Sequence, residues 1–183
     1  MHGVRKVTRV LPSDHEDVDR YFRDLIASAL RVRRIGLDDE QAMQTVARAL
    51  EHSPDEYSLW NFRKELLRKR CDASTDMRLT QAEWDDELAL TERALHRHPK
   101  GYGAWAHRLW LLTEAGDVTS DENRTRALHA ELEVCNRMLL ADERNFHAWA
   151  HRMAVRSLID DPEGAQVQLE FTMEKINANF ANY

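Results

Sequence analysis

The sequence predicts an all-α fold, an α-solenoid of stacked antiparallel helical hairpins. The first supporting observation is a tryptophan-centred motif that occurs three times: PDEYSLWNFRKELL at 54–67, PKGYGAWAHRLWLL at 99–112 and ERNFHAWAHRMAVR at 143–156. Trp60, Trp105 and Trp149 are 45 and 44 residues apart, and a fixed period of this length is typical of helical-pair repeats. The second observation is that no segment alternates polar and apolar residues. With only 6 Gly and 4 Pro in 183 residues, long helices are favoured over turn-rich β structure.

Composition limits the class of protein. The chain is 43% hydrophobic and 32% charged, which is sufficient for one continuous core. Its formal net charge of −6 argues against nucleic acid or an anionic membrane as the main partner. Cys71 and Cys135 form no CxxC pair and are expected to be reduced thiols of an intracellular protein. Since the sequence contains neither a long apolar run nor a signal-peptide core, we expect a cytoplasmic location.

Capping and breaking residues delimit the predicted helices. Residues 1–12 are basic and are expected to form an N-terminal arm, after which Ser13 and Glu16 form a capping-box pattern that opens the first helix, with Gly36 as its C-cap. Further signals are prolines at the start of the first two tryptophan motifs and a second capping box in the middle of the chain (Pro54, Pro99, Thr80 with Glu83). The spacing of apolar residues predicts helices over about 13–34, 38–52, 55–70, 80–97, 101–115, 121–141, 144–159 and 162–178.

The repeat includes the helix that precedes each tryptophan. Leucine lies ten residues upstream (Leu50, Leu95, Leu139), arginine twelve upstream (Arg48, Arg93, Arg137) and an apolar residue seventeen upstream (Met43, Leu88, Leu132). Each unit is therefore a hairpin that must stack on its neighbours to bury its apolar stripe. We expect a helical-repeat domain over 13–183, with units at about 38–70, 80–115 and 120–159 and an incomplete fourth unit at 162–183.

The incomplete fourth unit suggests a longer array. Leu169, Ile176 and Tyr183 match repeat positions, but the next tryptophan would fall at 186. We therefore expect the chain to be truncated within a longer solenoid, with an apolar face on its last helix that can associate with a second copy.

The residues that recur in every unit are expected to be structural. The three tryptophans should pack between hairpins. The arginines three residues later (Arg63, Arg108, Arg152) lie on the same helix face and should bond carbonyls or carboxylates between repeats.

Residues that differ between units indicate a candidate site. Lys100 precedes the second tryptophan helix, and Gly101 and Gly103 would let its backbone approach a ligand closely. Tyr102 lies nearby, and Asn145 and His147 occupy the matching turn of the next unit. Stacking should place these turns side by side as a cationic groove at helix N-termini, suited to phosphate or diphosphate. The alternative is that these loop side chains are only solvated.

At these residues the sequence resembles the α subunit of protein prenyltransferases, and in particular the Rab geranylgeranyltransferase (type II) branch. Two segments carry the resemblance, HPKGYGAWAHRLWLL and DERNFHAWAHR. The resemblance covers nearly the whole chain from about residue 40, and MHGVRKV and NANFANY at the two ends are similar to that branch as well.

The resemblance implies roles for individual residues. Lys100 would face the diphosphate of the isoprenoid donor, with His147 near it, as the catalytic pair. Tyr102 and Asn145 would bind substrate at the same edge, where Phe146 replaces a tyrosine of the farnesyl branch. Gly103 stands where enzymes that bind a CaaX carboxylate have glutamine, which favours a Rab-type substrate delivered by an escort protein.

The resemblance also implies a division of labour with a β subunit. Displacement of diphosphate by a thiolate builds negative charge on the leaving group, which an ammonium and an imidazole can stabilise. The β subunit would supply zinc and the pocket for geranylgeranyl diphosphate, so this chain should need no cofactor and should be inactive alone. Its histidines are scattered and suggest no metal site, although His2 resembles a family histidine that can approach the zinc.

Two alternative functions remain open at this point. A non-catalytic α-solenoid scaffold would bind a protein partner on its concave face without using Lys100 or His147. An α subunit of the CaaX farnesyl type is disfavoured by Gly103.

Overall fold

A computed structural model describes residues 13–35, 39–74, 79–115 and 121–178. The helices are α1 (Ser13–Ile35), α2 (Asp39–His52), α3 (Tyr57–Ala73), α4 (Gln81–Arg97), α5 (Tyr102–Trp110), α6 (Asp121–Ala141), α7 (Phe146–Ser157) and α8 (Gly164–Ala178). A π-helical turn at Leu111–Ala115 extends α5. These ranges contain no strand, so the all-α prediction is confirmed. The predicted arm, His2, Gly36 and Tyr183 lie outside the described residues.

Local signals set the start of two helices. The capping box predicted at Thr80 is present: its hydroxyl accepts the Glu83 N–H at 3.3 Å, and the Glu83 carboxylate accepts the Thr80 N–H at 2.8 Å. At α7 the Asn145 side chain caps the helix by accepting the N–H groups of His147 and Ala148, both at 3.2 Å. Such bonds satisfy backbone donors that have no partner inside the helix.

The helices form two layers of paired hairpins. In the first layer α2 packs on α4, and in the second α3 packs on α5 and α5 on α7. Within hairpins, α2 packs on α3, α4 on α5 and α6 on α7, while α1 packs on α2 and α3. The leucines ten residues before each tryptophan have no exposed surface (Leu50, Leu95, Leu139). Because the second layer is continuous, the turns that precede α3, α5 and α7 lie along one edge of the solenoid.

The tryptophans pack between hairpins as predicted, and each also fixes a turn. Trp60 and Trp105 are buried, and Trp149 is half-buried against the core. Each indole N–H donates to the carbonyl six residues earlier, at 2.8, 2.9 and 2.8 Å (to Pro54, Pro99 and Glu143). The same residue therefore fills the core and holds the turn that precedes its helix.

The first two repeat arginines join neighbouring hairpins as predicted. Arg63 donates to the Met43 carbonyl at 2.9 Å and to the Glu87 carboxylate of the next hairpin at 2.6 Å. Arg108 likewise donates to the Leu88 carbonyl at 2.8 Å and to Glu131 at 2.5 Å. Arg152 instead donates to the Asn136 side chain at 2.8 Å, and its buried Nε has no hydrogen-bond partner among the described residues.

Helix α8 is less buried than the others. Gly164 is its one buried residue, and Val167, Leu169 and Met173 are about half exposed. The predicted apolar exposure on the last helix is therefore present. Within the described ranges, no helix combines the length and apolar character needed to cross a bilayer.

Candidate functional site

The second and third turns, at 98–101 and 142–145, lie side by side as predicted. The Asn145 amide donates to the Pro99 carbonyl at 2.8 Å while its oxygen caps α7. This side chain has no exposed surface, because it links the two turns. The structure therefore assigns Asn145 to holding the turns together, and a direct contact with substrate remains a prediction.

Lys100 projects from the second turn and is paired with an acid of the third. Its ammonium lies 2.9 Å from Asp142 Oδ2, and 60% of the lysine side chain is exposed. The second Asp142 oxygen accepts the Arg144 N–H at 3.0 Å. The hydrogen bond from Lys100 and the backbone bond lower the pKa of Asp142, so the carboxylate is charged at neutral pH.

Aromatic rings lie at the starts of α3, α5 and α7, next to these turns. Tyr102 is 63% exposed, and its ring centroid lies 6.5 Å from that of Tyr57 and 6.2 Å from that of His147. Phe146 is also exposed, with its centroid 3.8 Å from the His147 ring. We call Tyr57, Lys100, Tyr102, Phe146 and His147 the turn edge. The structure thus brings Tyr102 close to His147, and Lys100 lies on the turn just before Tyr102, paired with Asp142 of the turn that precedes His147.

Packing explains both glycines of the second turn, and their close approach to a ligand stays a prediction. Both are buried, and each lets neighbouring protein groups approach its backbone. A Cβ on Gly103 would lie 2.4 Å from Trp60 Cδ1, and one on Gly101 would lie 3.1 Å from the His98 carbonyl oxygen and 3.2 Å from Asp55 Oδ1. Packing against Trp60 by itself requires glycine at 103, so this residue is weaker evidence for a Rab-type substrate than the sequence suggested.

Two buried clusters of Glu, Arg and His side chains were not predicted from the sequence. Glu87 accepts from Arg63 and lies 3.1 Å from His107 Nε2. One repeat later Glu131 accepts from Arg108 and lies 2.6 Å from His151 Nε2. The signal was available, since glutamate lies eighteen residues before the tryptophan and histidine two after it in both units, with Ala42 and Phe62 at these positions in the first unit.

The side chains of the two clusters are almost wholly covered, and their ion pairs join neighbouring hairpins, which favours a structural role. Burial disfavours the charged form of Glu131, but the hydrogen bond from His151 and the charge of Arg108 outweigh it and lower the pKa of Glu131 to about 2. Burial lowers the pKa of His107, which keeps that ring neutral at pH 7.

Metal-binding groups do not converge in the described part of the chain. No group of three His, Cys, Asp or Glu side chains there is arranged to hold a metal ion.

Comparison with known proteins decides the family. The pattern described as "Protein prenyltransferase alpha subunit repeat" matches residues 39–70, 84–115 and 128–158, which together make up half of the chain. The chain belongs to the protein prenyltransferase α-subunit repeat family. Each matched range contains one tryptophan hairpin of the structure.

The relatives of this prenyltransferase-repeat chain that are compared below share the same protein name. It is 30% identical over 192 residues to "Geranylgeranyl transferase type-2 subunit alpha" of Saccharomyces cerevisiae, covering 100% of this chain and 56% of that protein. It is 34% identical over 189 residues to the proteins of the same name from Sus scrofa and Homo sapiens, covering 100% of this chain and 31% of each. The chain thus spans about half the length of the yeast relative and about a third of the mammalian ones. These relatives do not fit the alternative of a non-catalytic scaffold.

Proposed function

We propose that this chain is the α subunit, or part of the α subunit, of a protein geranylgeranyltransferase of the Rab type. The observation that carries the proposal is the turn edge, where Lys100 lies on the turn just before Tyr102, and Tyr102 lies close to His147 at the starts of α5 and α7. The names of the relatives support the same function.

The proposed chemistry is stabilisation of a leaving group. A cysteine thiolate of the protein substrate attacks the allylic carbon of geranylgeranyl diphosphate, a thioether forms, and inorganic pyrophosphate leaves with the bonding electron pair. Lys100 and His147 offset the charge that develops on the diphosphate. Tyr102 lines the bound donor, and Asn145 keeps the two turns in register through its bond to Pro99.

The proposal requires partners. A β subunit would bind against this chain and supply zinc and the lipid pocket, and His2 could approach that zinc. The protein substrate would be a Rab protein presented by an escort protein in the cytoplasm. The chain alone would then have no transferase activity.

The first experiment is co-expression with the β subunit of a type-2 geranylgeranyl transferase. We expect a one-to-one complex on gel filtration that transfers geranylgeranyl to a Rab protein in the presence of its escort protein. A folded chain that elutes alone in the presence of the β subunit would contradict the proposal for this chain. A complex that modifies CaaX peptides and not Rab proteins would overturn the Rab assignment.

Within that complex, Lys100→Met should slow the single-turnover rate about 10- to 100-fold, because the ammonium is lost while the length of the side chain is kept. Rapid-quench measurement of thioether formation checks this. Lys69→Met is the matched control, since Lys69 is an exposed lysine near the far end of α3. Equal rates for wild type and Lys100→Met would refute the role of Lys100.

A further inference from the structure

Adjacent turns of this solenoid are joined by a contact between a basic and an acidic side chain, and the two types exchange places from one interface to the next. Each unit has an aromatic residue three positions before its tryptophan. The residue four positions before this aromatic contacts the residue two positions before the aromatic of the preceding unit. In the first interface His98 Nδ1 lies 3.4 Å from Asp55 Oδ2. In the second, Asp142 Oδ2 lies 2.9 Å from Lys100 Nζ. The fold therefore places the Asp142 carboxylate next to Lys100, and the His98–Asp55 contact is the equivalent contact at the preceding interface.

Both backbones of the Lys100–Asp142 contact are held in place. Asp142 bonds the Arg144 N–H through its other oxygen at 3.0 Å. The turn that carries Lys100 is closed by the Gly101 N–H to His98 carbonyl bond at 2.9 Å and tied to the third turn through Pro99 and Asn145 at 2.8 Å. The exposed lysine stem is consequently the mobile part, and its ammonium can leave Asp142 without a rearrangement of either turn.

From this arrangement we propose that Asp142 is a positioning residue that acts as the resting counter-ion of Lys100. Its carboxylate competes with an anionic phosphate group for the ammonium. The inference rests on the proposed role of Lys100 toward diphosphate. Competition of this kind lowers the affinity of the turn edge for pyrophosphate and so promotes release of that product. It also keeps Lys100 next to the site when no anion is bound.

Asp142→Asn separates charge from structure. The asparagine oxygen can still accept the Arg144 N–H, so the turn is kept while the negative charge is removed. Asp55→Asn is the matched control, because it removes one negative charge from the equivalent contact of the preceding interface. Asp55 lines the same cavity of about 420 Å³ as Lys100 and Asp142, but its partner is His98.

The test is a titration of the purified chain with inorganic pyrophosphate, in which NMR measures the dissociation constant. The salt concentration is about 0.15 M, so that distant charges are screened. We expect Asp142→Asn to lower the dissociation constant about two- to five-fold, the range of an exposed ion pair. Lys100→Met should raise it, and Asp142→Asn should then have no effect in the Lys100→Met background. Asp55→Asn should leave it unchanged.

A second measurement detects the Lys100–Asp142 ion pair in the absence of any ligand. The ¹⁵Nζ resonance of Lys100 should shift in Asp142→Asn and stay in place in Asp55→Asn. An unshifted resonance, or a gain in pyrophosphate affinity that persists in the Lys100→Met background, would overturn the inference.

The outcomes separate this inference from the proposed function. If Lys100→Met weakens pyrophosphate binding and Asp142→Asn changes nothing, the counter-ion role fails and the role of Lys100 stands. If wild type does not bind pyrophosphate, or Lys100→Met binds it equally well, the proposed role of Lys100 in this chain fails. In that case the ¹⁵Nζ signal still decides whether Asp142 holds the ammonium.

Discussion

Single residues at the hairpin interfaces show how closely the repeats approach. The Trp60 indole lies against the backbone at Gly103, so a side chain at this position would overlap the ring. The same indole donates to Pro54 in its own turn at 2.8 Å, which restricts its movement. Glycine at 103 is consequently explained by packing of one repeat on the next, and Trp60 is fixed from two sides.

Gly103→Ala should lower the free energy of unfolding by about 1–3 kcal/mol, because the added methyl group forces Trp60 or α5 to shift. Urea denaturation followed by tryptophan fluorescence measures this. A Gly103→Ala protein at least as stable as wild type would contradict the packing argument.

Pairs of helices are joined by charged side chains that lie in the core. Glu131 on α6 accepts from Arg108 on α5 and contacts His151 on α7, so one carboxylate connects three helices of two hairpins. A buried charge is tolerated only when it is paired and hydrogen-bonded, and removal of one partner leaves the other uncompensated. These clusters therefore tie the register of one hairpin to the next.

Glu131→Gln should destabilise the chain by about 3 kcal/mol, because the buried Arg108 charge loses its counter-ion. Glu133→Gln, an exposed position on the same helix, should change stability by less than about 0.5 kcal/mol. Urea denaturation of the two variants and wild type gives both numbers. Equal stabilities would show that the buried pair contributes nothing net.

The free energy of unfolding should also depend on pH, because the pKa of Glu131 differs between the folded and unfolded states. Folding lowers its pKa from the ordinary 4.5 to about 2, so the folded state favours the charged form. This contribution is fully present above about pH 4.5 and is lost as pH falls from 4.5 towards 2, for a total of about 3 kcal/mol. Urea denaturation between pH 7 and pH 2.5 should show the gap between wild type and Glu131→Gln narrowing with acid. A gap that stays constant would contradict this assignment.

Among the described residues, each hairpin packs mainly against its neighbours. The unit formed by α4 and α5 packs against helices on both sides, through α2 and α3 on one side and α7 on the other. Helix α8 has one buried residue and three half-exposed apolar side chains. In a solenoid of this kind, stability is roughly a sum of unit and interface terms, so it should decrease from the middle towards α8.

Amide hydrogen exchange should reveal that gradient. The amides of α5 should exchange most slowly and those of α8 at least about 100-fold faster, since α5 packs on α3 and α7 whereas α8 has one buried residue, so opening α8 breaks fewer contacts. Exchange followed by mass spectrometry of peptides from 102–110 and 164–178 checks this. Equal protection of the two helices would indicate that α8 is covered, for example by a second copy.

The sequence by itself determined the helices, the period and the neighbourhood of the second and third turns. Apolar spacing, prolines and capping residues act within one helix or one turn, so the three hairpins followed from local patterns. The side-by-side placement of the turn that carries Lys100 and the turn that precedes His147 followed from the period, because stacked units repeat in space as they do in sequence.

Only the tertiary structure decided what faces each of these residues. The contact of Gly103 with Trp60, the pairing of Lys100 with Asp142 and the burial of Glu131 with Arg108 all join residues of different hairpins. The period aligns equivalent positions but does not state the distance or rotation between units, on which such contacts depend. The charge at the turn edge was therefore visible in the sequence, while the acid that balances it was not.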